Sequence, residues 1–177
     1  MKFALQSSLA LAAALALAAG PAHAALERGA AAPQVATVGA LGGKSFSFDL
    51  RRALRDGPVV LYFYPKAFTQ GCTLEAHAFA EAMPEFRAAG AQVIGLSADD
   101  LPTLRRFSTE ECRDAFPVAH ATARTIAAYD VAFGETGLAN RTSYVIARDG
   151  RIVMVHSDLD YREHVARTLA AVRALGN

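Results

Sequence analysis

The sequence has little of what extensive cross-linking or strong electrostatic binding would require. Its 177 residues include only two cysteines, too few for a disulfide scaffold. Its 18 lysines and arginines are balanced by 17 acidic residues, so it lacks the basic excess needed to hold nucleic acid or anionic lipid. We therefore expect no nucleic-acid partner. A chain of this length has room for one domain with a substantial core.

Long apolar runs are absent except near the N terminus. Lys2 precedes an apolar run over residues 9–19, which is followed by Gly20-Pro21 and the small-residue sequence Ala22-His23-Ala24. The run is too short to span a bilayer, and the whole pattern is typical of a cleaved secretory signal. We predict cleavage after Ala24, which leaves 153 residues with 17 basic and 17 acidic side chains. The expected location is the periplasm or the outside of the cell, with no membrane association after cleavage.

The remaining sequence predicts alternating strands and helices over residues 35–177, preceded by a flexible lead-in over residues 25–34. Period-two alternation and uninterrupted apolar runs indicate strands, while apolar spacings of three and four indicate helices. The predicted strands form an N-terminal hairpin, two buried central strands and a C-terminal hairpin, at residues 35–48, 59–64, 92–96 and 143–155. Helices are predicted from Cys72 to Gly90, over residues 102–111, around residues 126–129 and at the C terminus. This order favours a thioredoxin-like three-layer α/β/α sandwich with a mixed central sheet.

Proline and aspartate are expected to shape two of the predicted helices. Pro84 lies within the helix that begins near Cys72, and it should kink or divide that helix because it removes a backbone donor. Asp99-Asp100 precedes the helix that carries Pro102. We interpret the aspartates as helix caps rather than as a catalytic acid pair.

Cys72 lies where a buried strand ends and a helix begins. The first turn of a helix has unpaired backbone N–H groups and the positive end of the dipole, which favour a thiolate sulfur. The thiolate is the reactive form of cysteine, so this position suits redox chemistry. A buried structural cysteine is the alternative interpretation, because free cysteines are commonly buried.

The residues around Cys72 carry a specific resemblance. Pro65, Thr69 and Cys72 stand as P-x-x-x-T-x-x-C after a strand, which resembles the peroxiredoxin signature. The flanking sequence over residues 62–75 is similar to the PrxQ branch, also called bacterioferritin comigratory protein, of the AhpC/TSA group, and the similarity covers nearly all of residues 30–175. The resemblance implies a thiol-dependent peroxidase that reduces hydrogen peroxide and organic hydroperoxides.

The resemblance also implies a role for each site residue. Cys72 is similar in position to the peroxidatic cysteine, which becomes a sulfenic acid, and Thr69 to the hydroxyl that bonds both the sulfur and the peroxide. Pro65 matches the ring that shields the pocket from water, and Arg141 matches the active-site arginine. Donors fixed before the reaction would stabilise the charge that develops on the displaced oxygen. The loop departs from relatives at Ala67-Phe68 and Gln70, which puts substrate access in doubt.

Cys112 is the remaining candidate for resolving the sulfenic acid. Many PrxQ relatives carry a second cysteine five residues after the first, but this chain has His77 there, and we expect an ordinary, partly exposed histidine. Cys112 lies near the end of the predicted helix over residues 102–111, the helix where another subset of relatives keeps its resolving cysteine. A packed thiol and a permanent bridge to Cys72 are the structural alternatives. A reversible disulfide fits better, because a permanent one would consume the nucleophile. Forming the reversible disulfide would require the helical turn at Cys72 to unwind.

Other functions are less compatible with the same residues. A thioredoxin-like disulfide reductase of the TlpA type needs C-x-x-C, and position 75 is glutamate; a Sco-type copper chaperone needs C-x-x-x-C, and position 76 is alanine. A peroxide sensor or relay would share every residue named above and stays open. We expect no metal and no cofactor, since the histidines and cysteines lack ligand spacing. The expected partners are a peroxide and an unidentified thioredoxin-like or small-thiol reductant, and PrxQ relatives imply a monomer or weak dimer.

Overall fold

A seven-stranded mixed sheet organises residues 25–176, the part of the chain that this computed structural model describes. The predicted secretory signal over residues 1–24 lies outside them. The strands are β1 (Ala36–Leu41), β2 (Lys44–Asp49), β3 (Val59–Phe63), β4 (Gln92–Ser97), β5 (Val118–His120), β6 (Thr142–Ile146) and β7 (Ile152–Ser157). The helices are α1 (Leu50–Asp56), α2 (Gln70–Ala88), α3 (Leu101–Glu110), α4 (Ala123–Ala128) and α5 (His164–Leu175), with a 3-10 turn at Tyr161–Glu163. None of the described helices is long and apolar enough to cross a membrane.

The sheet order β2-β1-β5-β4-β3-β6-β7 places the most apolar strand near the middle. β3 runs parallel to β4 and antiparallel to β6, and all five of its residues are buried. A strand buried on both faces needs a layer of helices on each side. Helices α2, α3 and α5 contribute to the core on one face, and α1 and α4 contribute to the core on the other. The predicted thioredoxin-like α/β/α sandwich is therefore confirmed.

Both predicted hairpins are present, but two details of the helices differ from expectation. β1 pairs with β2, and β6 pairs with β7, each in antiparallel register. Helix α2 runs past Pro84 without a break, so the predicted division there is wrong. Phe79 and Phe86, on either side of Pro84, are both fully buried and their ring centroids are 5.9 Å apart, so packing holds both halves in one helix. Helix α1, which was not predicted, begins after Asp49, whose carboxylate accepts a hydrogen bond from the Arg52 amide.

The residues between Ala24 and β1 are bonded to the sheet. The Gly29 amide donates to the Ile152 carbonyl at 2.7 Å, and the Ile152 amide donates to the Ala30 carbonyl at 2.9 Å. The Ala32 amide donates to the Gly150 carbonyl at 2.9 Å. The segment predicted as a flexible lead-in therefore contains backbone that pairs with the start of β7.

Candidate active site

The loop between β3 and α2 carries Pro65 and Thr69 and is held in place by Asp99. The Asp99 carboxylate accepts hydrogen bonds from the Ala67 amide and from the Ser97 hydroxyl, each at 2.8 Å. Only Asp100 caps a helix, because its carboxylate accepts from the Thr103 amide at 3.0 Å. The prediction that Asp99 also caps this helix is therefore wrong. Asp99 instead ties the loop to the end of β4.

Phe68 adopts an unusual backbone conformation in this loop. Its φ of 63° lies in the left-handed region, which bulky residues rarely occupy. Its ring packs edge-on against Phe107 with centroids 5.2 Å apart, and the Arg106 guanidinium lies 4.9 Å from the ring centroid. These contacts compensate for backbone strain, and such strain is typical of functional loops.

Cys72 is the third residue of α2 and is almost fully buried, with 2% of its surface exposed. Its sulfur therefore lies in the first helical turn, as the sequence predicted. The Arg141 Nη2 atom donates to the Cys72 Sγ atom at 3.5 Å. A Cβ atom at Gly71 would lie 3.1 Å from the same Nη2, so a residue without a side chain allows the arginine to approach. The guanidinium and the helix dipole both stabilise negative charge on the sulfur.

Arg141 is held just before β6 by two further interactions of its guanidinium. Nη1 donates a short hydrogen bond to a carboxyl oxygen of Glu75, which is fully buried. Nε donates to the Leu159 carbonyl at 2.9 Å. The guanidinium plane is therefore fixed by one anchor on α2 and another on the segment after β7. Its Nη2 atom is directed at Cys72.

Glu75 is the most unusual titratable group of the site. Burial raises the pKa of its carboxyl from the ordinary value of 4.5 to about 8, and the neighbouring Arg141 opposes that shift only in part. Its Oε1 atom has no hydrogen-bond partner among the described residues and lies 3.8 Å from Nδ1 of His164. Sequence reasoning missed both residues. A detectable signal was a glutamate three positions after Cys72, on the helix face that otherwise carries buried apolar residues.

Thr69 and Pro65 precede the helix on the same loop. Thr69 is the residue before α2, and its hydroxyl donates to the Lys66 carbonyl at 2.9 Å. Its side chain makes no capping bond to the helix. Pro65 is half-buried directly after Tyr64. The fold thus brings Cys72 and Arg141 into contact and places Thr69 and Pro65 three and seven residues upstream of the sulfur.

Cys112 is fully buried and separate from Cys72, and both thiols are free. Helix α3 ends at Glu110, so Cys112 lies in the turn just beyond it, near the end of the helix as predicted. Burial raises the pKa of the Cys112 thiol far above its ordinary value. Arg113 and Asp114 follow in left-handed conformations, with φ values of 53° and 56°. These conformations explain why the helix stops before the cysteine.

The turn that carries Cys112 is attached to α2 by polar contacts. Nε2 of His77 lies 2.7 Å from a carboxylate oxygen of Glu111, and the Arg87 guanidinium donates to the Ala115 carbonyl at 2.5 Å. His77 is partly exposed, as predicted, with 29% of its side-chain surface accessible. Its pairing with the residue adjacent to Cys112 was not predicted. Several polar contacts, including the one from His77, therefore link the segments that carry the two cysteines.

No group of three or more histidine, cysteine, aspartate or glutamate side chains within residues 25–176 is arranged to hold a metal ion.

Comparisons with known proteins agree with this geometry. The family model described as "AhpC/TSA family" matches residues 29–155. The chain is 32% identical over 123 residues to Peroxiredoxin Bcp of Xanthomonas campestris, covering 66% of this chain and 76% of that protein. Its structure resembles Peroxidoxin BcpB of Mycobacterium tuberculosis with a TM-score of 0.76 and 31% identity, over 85% of this chain and 98% of that one. It also resembles Peroxiredoxin Q of Xanthomonas campestris with a TM-score of 0.68 and 29% identity, over 79% and 91% of the two chains.

The fold and the contact between cysteine and arginine define a thioredoxin-like thiol enzyme. The chain belongs to the AhpC/TSA family of peroxiredoxins. It is accordingly an oxidoreductase, a thiol-dependent peroxidase with homologues of the Bcp and PrxQ type. Family membership implies a peroxide as substrate and a thiol as reductant.

The raised pKa of Glu75 predicts that stability decreases as pH rises. Between 4.5 and about 8 the folded state binds more protons at this carboxyl than the unfolded chain does, so the free energy of unfolding falls through that window. The limiting slope is about 1.4 kcal/mol per pH unit. His164, whose pKa is lowered from 6.5 to about 4, acts in the opposite direction only below pH 6.5.

The test is denaturant unfolding of the reduced protein between pH 6.5 and pH 8, compared with Glu75→Gln. The unsubstituted protein should lose stability across this interval, and the variant should show a flatter profile. Equal slopes for the two proteins would show that Glu75 is ionised throughout.

Proposed function

We propose that Cys72 is the peroxidatic cysteine of a PrxQ-like peroxidase that acts on hydrogen peroxide and organic hydroperoxides. The observation that carries the proposal is the bond from Arg141 Nη2 to the Cys72 sulfur at the start of α2. The thiolate attacks the terminal oxygen of the peroxide, so an S–O bond forms while the O–O bond breaks. The sulfur is oxidised to a sulfenic acid, and the other oxygen leaves as alkoxide or hydroxide and takes a proton from water.

Arg141 stabilises this reaction because its position is set before the peroxide arrives. The guanidinium is held by Glu75 and by the Leu159 carbonyl, so it need not reorganise as charge develops on the leaving oxygen. The Thr69 hydroxyl donates to the Lys66 carbonyl in the resting loop, and in this proposal it turns to the peroxide when the substrate binds. We assign Pro65 the role of excluding water from the thiolate.

Cys112 resolves the sulfenic acid in this proposal. Its thiolate attacks the Cys72 sulfur, so the S–S bond forms and the S–O bond breaks. The sulfenic oxygen leaves as hydroxide and becomes water by taking up the proton that the Cys112 thiol released. Both cysteines are buried, and burial disfavours the Cys112 thiolate, so the turn beyond α3 must open before attack. Opening would break the contact between His77 and Glu111, which ties that turn to α2. The contact therefore helps to keep the reduced enzyme in its peroxide-reactive form.

The cycle is completed by an external thiol that reduces the disulfide through thiol–disulfide exchange. A thioredoxin-like dithiol or a small thiol of the periplasm fits this requirement if the chain is exported. We further propose a monomer or weak dimer that uses no nucleic acid, metal or cofactor. The near-neutral charge of the chain supports the lack of a nucleic-acid partner, and the resemblance of the sequence to the PrxQ branch supports the other points.

The roles of the two cysteines can be separated by mass. After one equivalent of hydrogen peroxide, the unsubstituted protein should lose two hydrogens as the disulfide forms. Cys112→Ser should instead gain one oxygen at Cys72, in a form that dimedone traps. Cys72→Ser should lose peroxidase turnover completely, because the nucleophile is gone.

Controls for folding are circular dichroism and thermal melting of both variants in the reduced state. Full activity of a folded Cys72→Ser would refute the mechanism. A stable sulfenic acid in the unsubstituted protein would leave Cys72 as the nucleophile but remove Cys112 as its resolving partner.

We also propose that the protein is periplasmic and that residues 1–24 are its cleaved signal. The support is the sequence pattern of Lys2, the apolar run at residues 9–19 and the small residues at 22–24. Expression of the full chain in a Gram-negative host should yield a periplasmic protein beginning at Ala25. Ala24→Leu should block cleavage, because the signal requires a small residue there. A cytoplasmic product that retains residues 1–24 would contradict the proposal.

A further inference from the structure

Both guanidinium anchors of Arg141 lie next to the same buried histidine. His164 is the first residue of α5 and is fully buried. Its Nε2 atom lies 2.9 Å from the Asp158 carbonyl, and the next carbonyl along the chain, that of Leu159, accepts from Arg141 Nε. Its Nδ1 atom lies 3.8 Å from Oε1 of Glu75, which is the other anchor. The histidine therefore connects the two supports of the arginine.

The hydrogen bonds of His164 specify where its proton lies. A backbone carbonyl can only accept, so Nε2 must carry the hydrogen that bonds to Asp158. Burial lowers the pKa of the imidazole to about 4, so the ring is neutral and its Nδ1 is an acceptor. The Ser143 hydroxyl, 2.8 Å away, donates to that Nδ1. The ring is thus held in one tautomer and one orientation.

The segment at Asp158 and Leu159 depends on these backbone bonds. It follows the end of β7 at Ser157, both of its side chains are exposed, and Leu159 retains 55% of its surface. Side-chain packing therefore contributes little to its position. Its two carbonyl groups point inward, one to His164 and one to Arg141. Loss of the first bond would let the second move.

We propose that His164 is a positioning residue for Arg141: it fixes the Leu159 carbonyl through the adjacent Asp158 carbonyl and borders the Glu75 carboxyl. It acts on the reaction only through the arginine, so it is not a catalytic residue. The inference rests on the proposed role of Arg141 at Cys72. Removing a hydrogen bond that orients a site residue without touching the reacting atoms commonly lowers activity by about tenfold to a hundredfold.

Two substitutions of His164 distinguish the hydrogen bond from Nε2 to the Asp158 carbonyl from the packing of the imidazole ring. The amide nitrogen of His164→Gln can reach the place of Nε2 and keep the bond to Asp158, whereas His164→Asn is shorter and keeps only an acceptor near Nδ1. His156→Gln is the matched control, because its ring lies 4.5 Å from that of His164 but contacts neither anchor of Arg141. All variants are made in a Cys112→Ser background, and the rate of Cys72 oxidation by hydrogen peroxide is measured with the melting temperature.

The rate of Cys72 oxidation should fall about tenfold or more in His164→Asn. The rates of His164→Gln and His156→Gln should stay within about threefold of the parent protein. Equal rates for the glutamine and asparagine variants, or rates that simply follow melting temperature, would overturn the inference. If Arg141→Lys also leaves peroxide oxidation unchanged, the proposed function fails as well. If only the arginine substitution slows oxidation, the role of His164 alone is refuted.

A measurement on the unsubstituted protein covers the case in which the variants do not fold. Nitrogen-15 NMR of the histidine side chains should show His164 neutral and protonated at Nε2 at neutral pH. A hydrogen on Nδ1 would contradict the inference, because Nε2 could not then donate to Asp158.

Discussion

The buried guanidinium of Arg141 is the constraint around which the site is built. Removing a charged group from water costs several kcal/mol unless partners replace its hydration. The fold supplies the Glu75 carboxyl from α2, the Leu159 carbonyl from the segment after β7, and the Cys72 sulfur from the first turn of α2. These partners come from two separate parts of the chain, α2 and the segment after β7, while the arginine itself precedes β6. The arginine can therefore contact the sulfur only when α2, the sheet and the segment after β7 are in place.

In the proposed cycle, peroxide reduction and disulfide formation need different conformations, because both cysteines are buried and unpaired. Peroxide reacts at a sulfur held beside Arg141, whereas disulfide formation needs Cys72 and Cys112 to meet. The reduced structure keeps both thiols in the core, and it ties the Cys112 turn to α2 through His77 and Glu111. The fold thus favours the first reaction and delays the second. Oxidation of Cys72 would change this preference, because a sulfenic acid loses the charge that Arg141 stabilises.

Sequence reasoning identified the elements that depend on local pattern. Strand β3 and the two hairpins have clear periodicity, and Cys72 could be placed in a first helical turn from the strand before it. Arg141 was recognised only by resemblance, since an arginine before a strand has no local signature. The roles of His164 and Asp99 could not be predicted, because they depend on tertiary contacts with residues such as Ser143 and Ala67, which lie 21 and 32 positions away in sequence. Glu75 alone had a visible anomaly, a charge on a buried helical face.

In the proposed mechanism, Arg141 stabilises the leaving oxygen as well as the thiolate. The most direct measurement compares two reactions of Cys72 in Arg141→Lys, at a pH where the thiol is fully ionised in both proteins. Oxidation by hydrogen peroxide develops charge on a departing oxygen, whereas alkylation by iodoacetamide releases iodide, a large anion that accepts hydrogen bonds only weakly. We expect oxidation to slow by about a hundredfold while alkylation stays within a few-fold. Equal losses in the two rates would contradict the proposed mechanism.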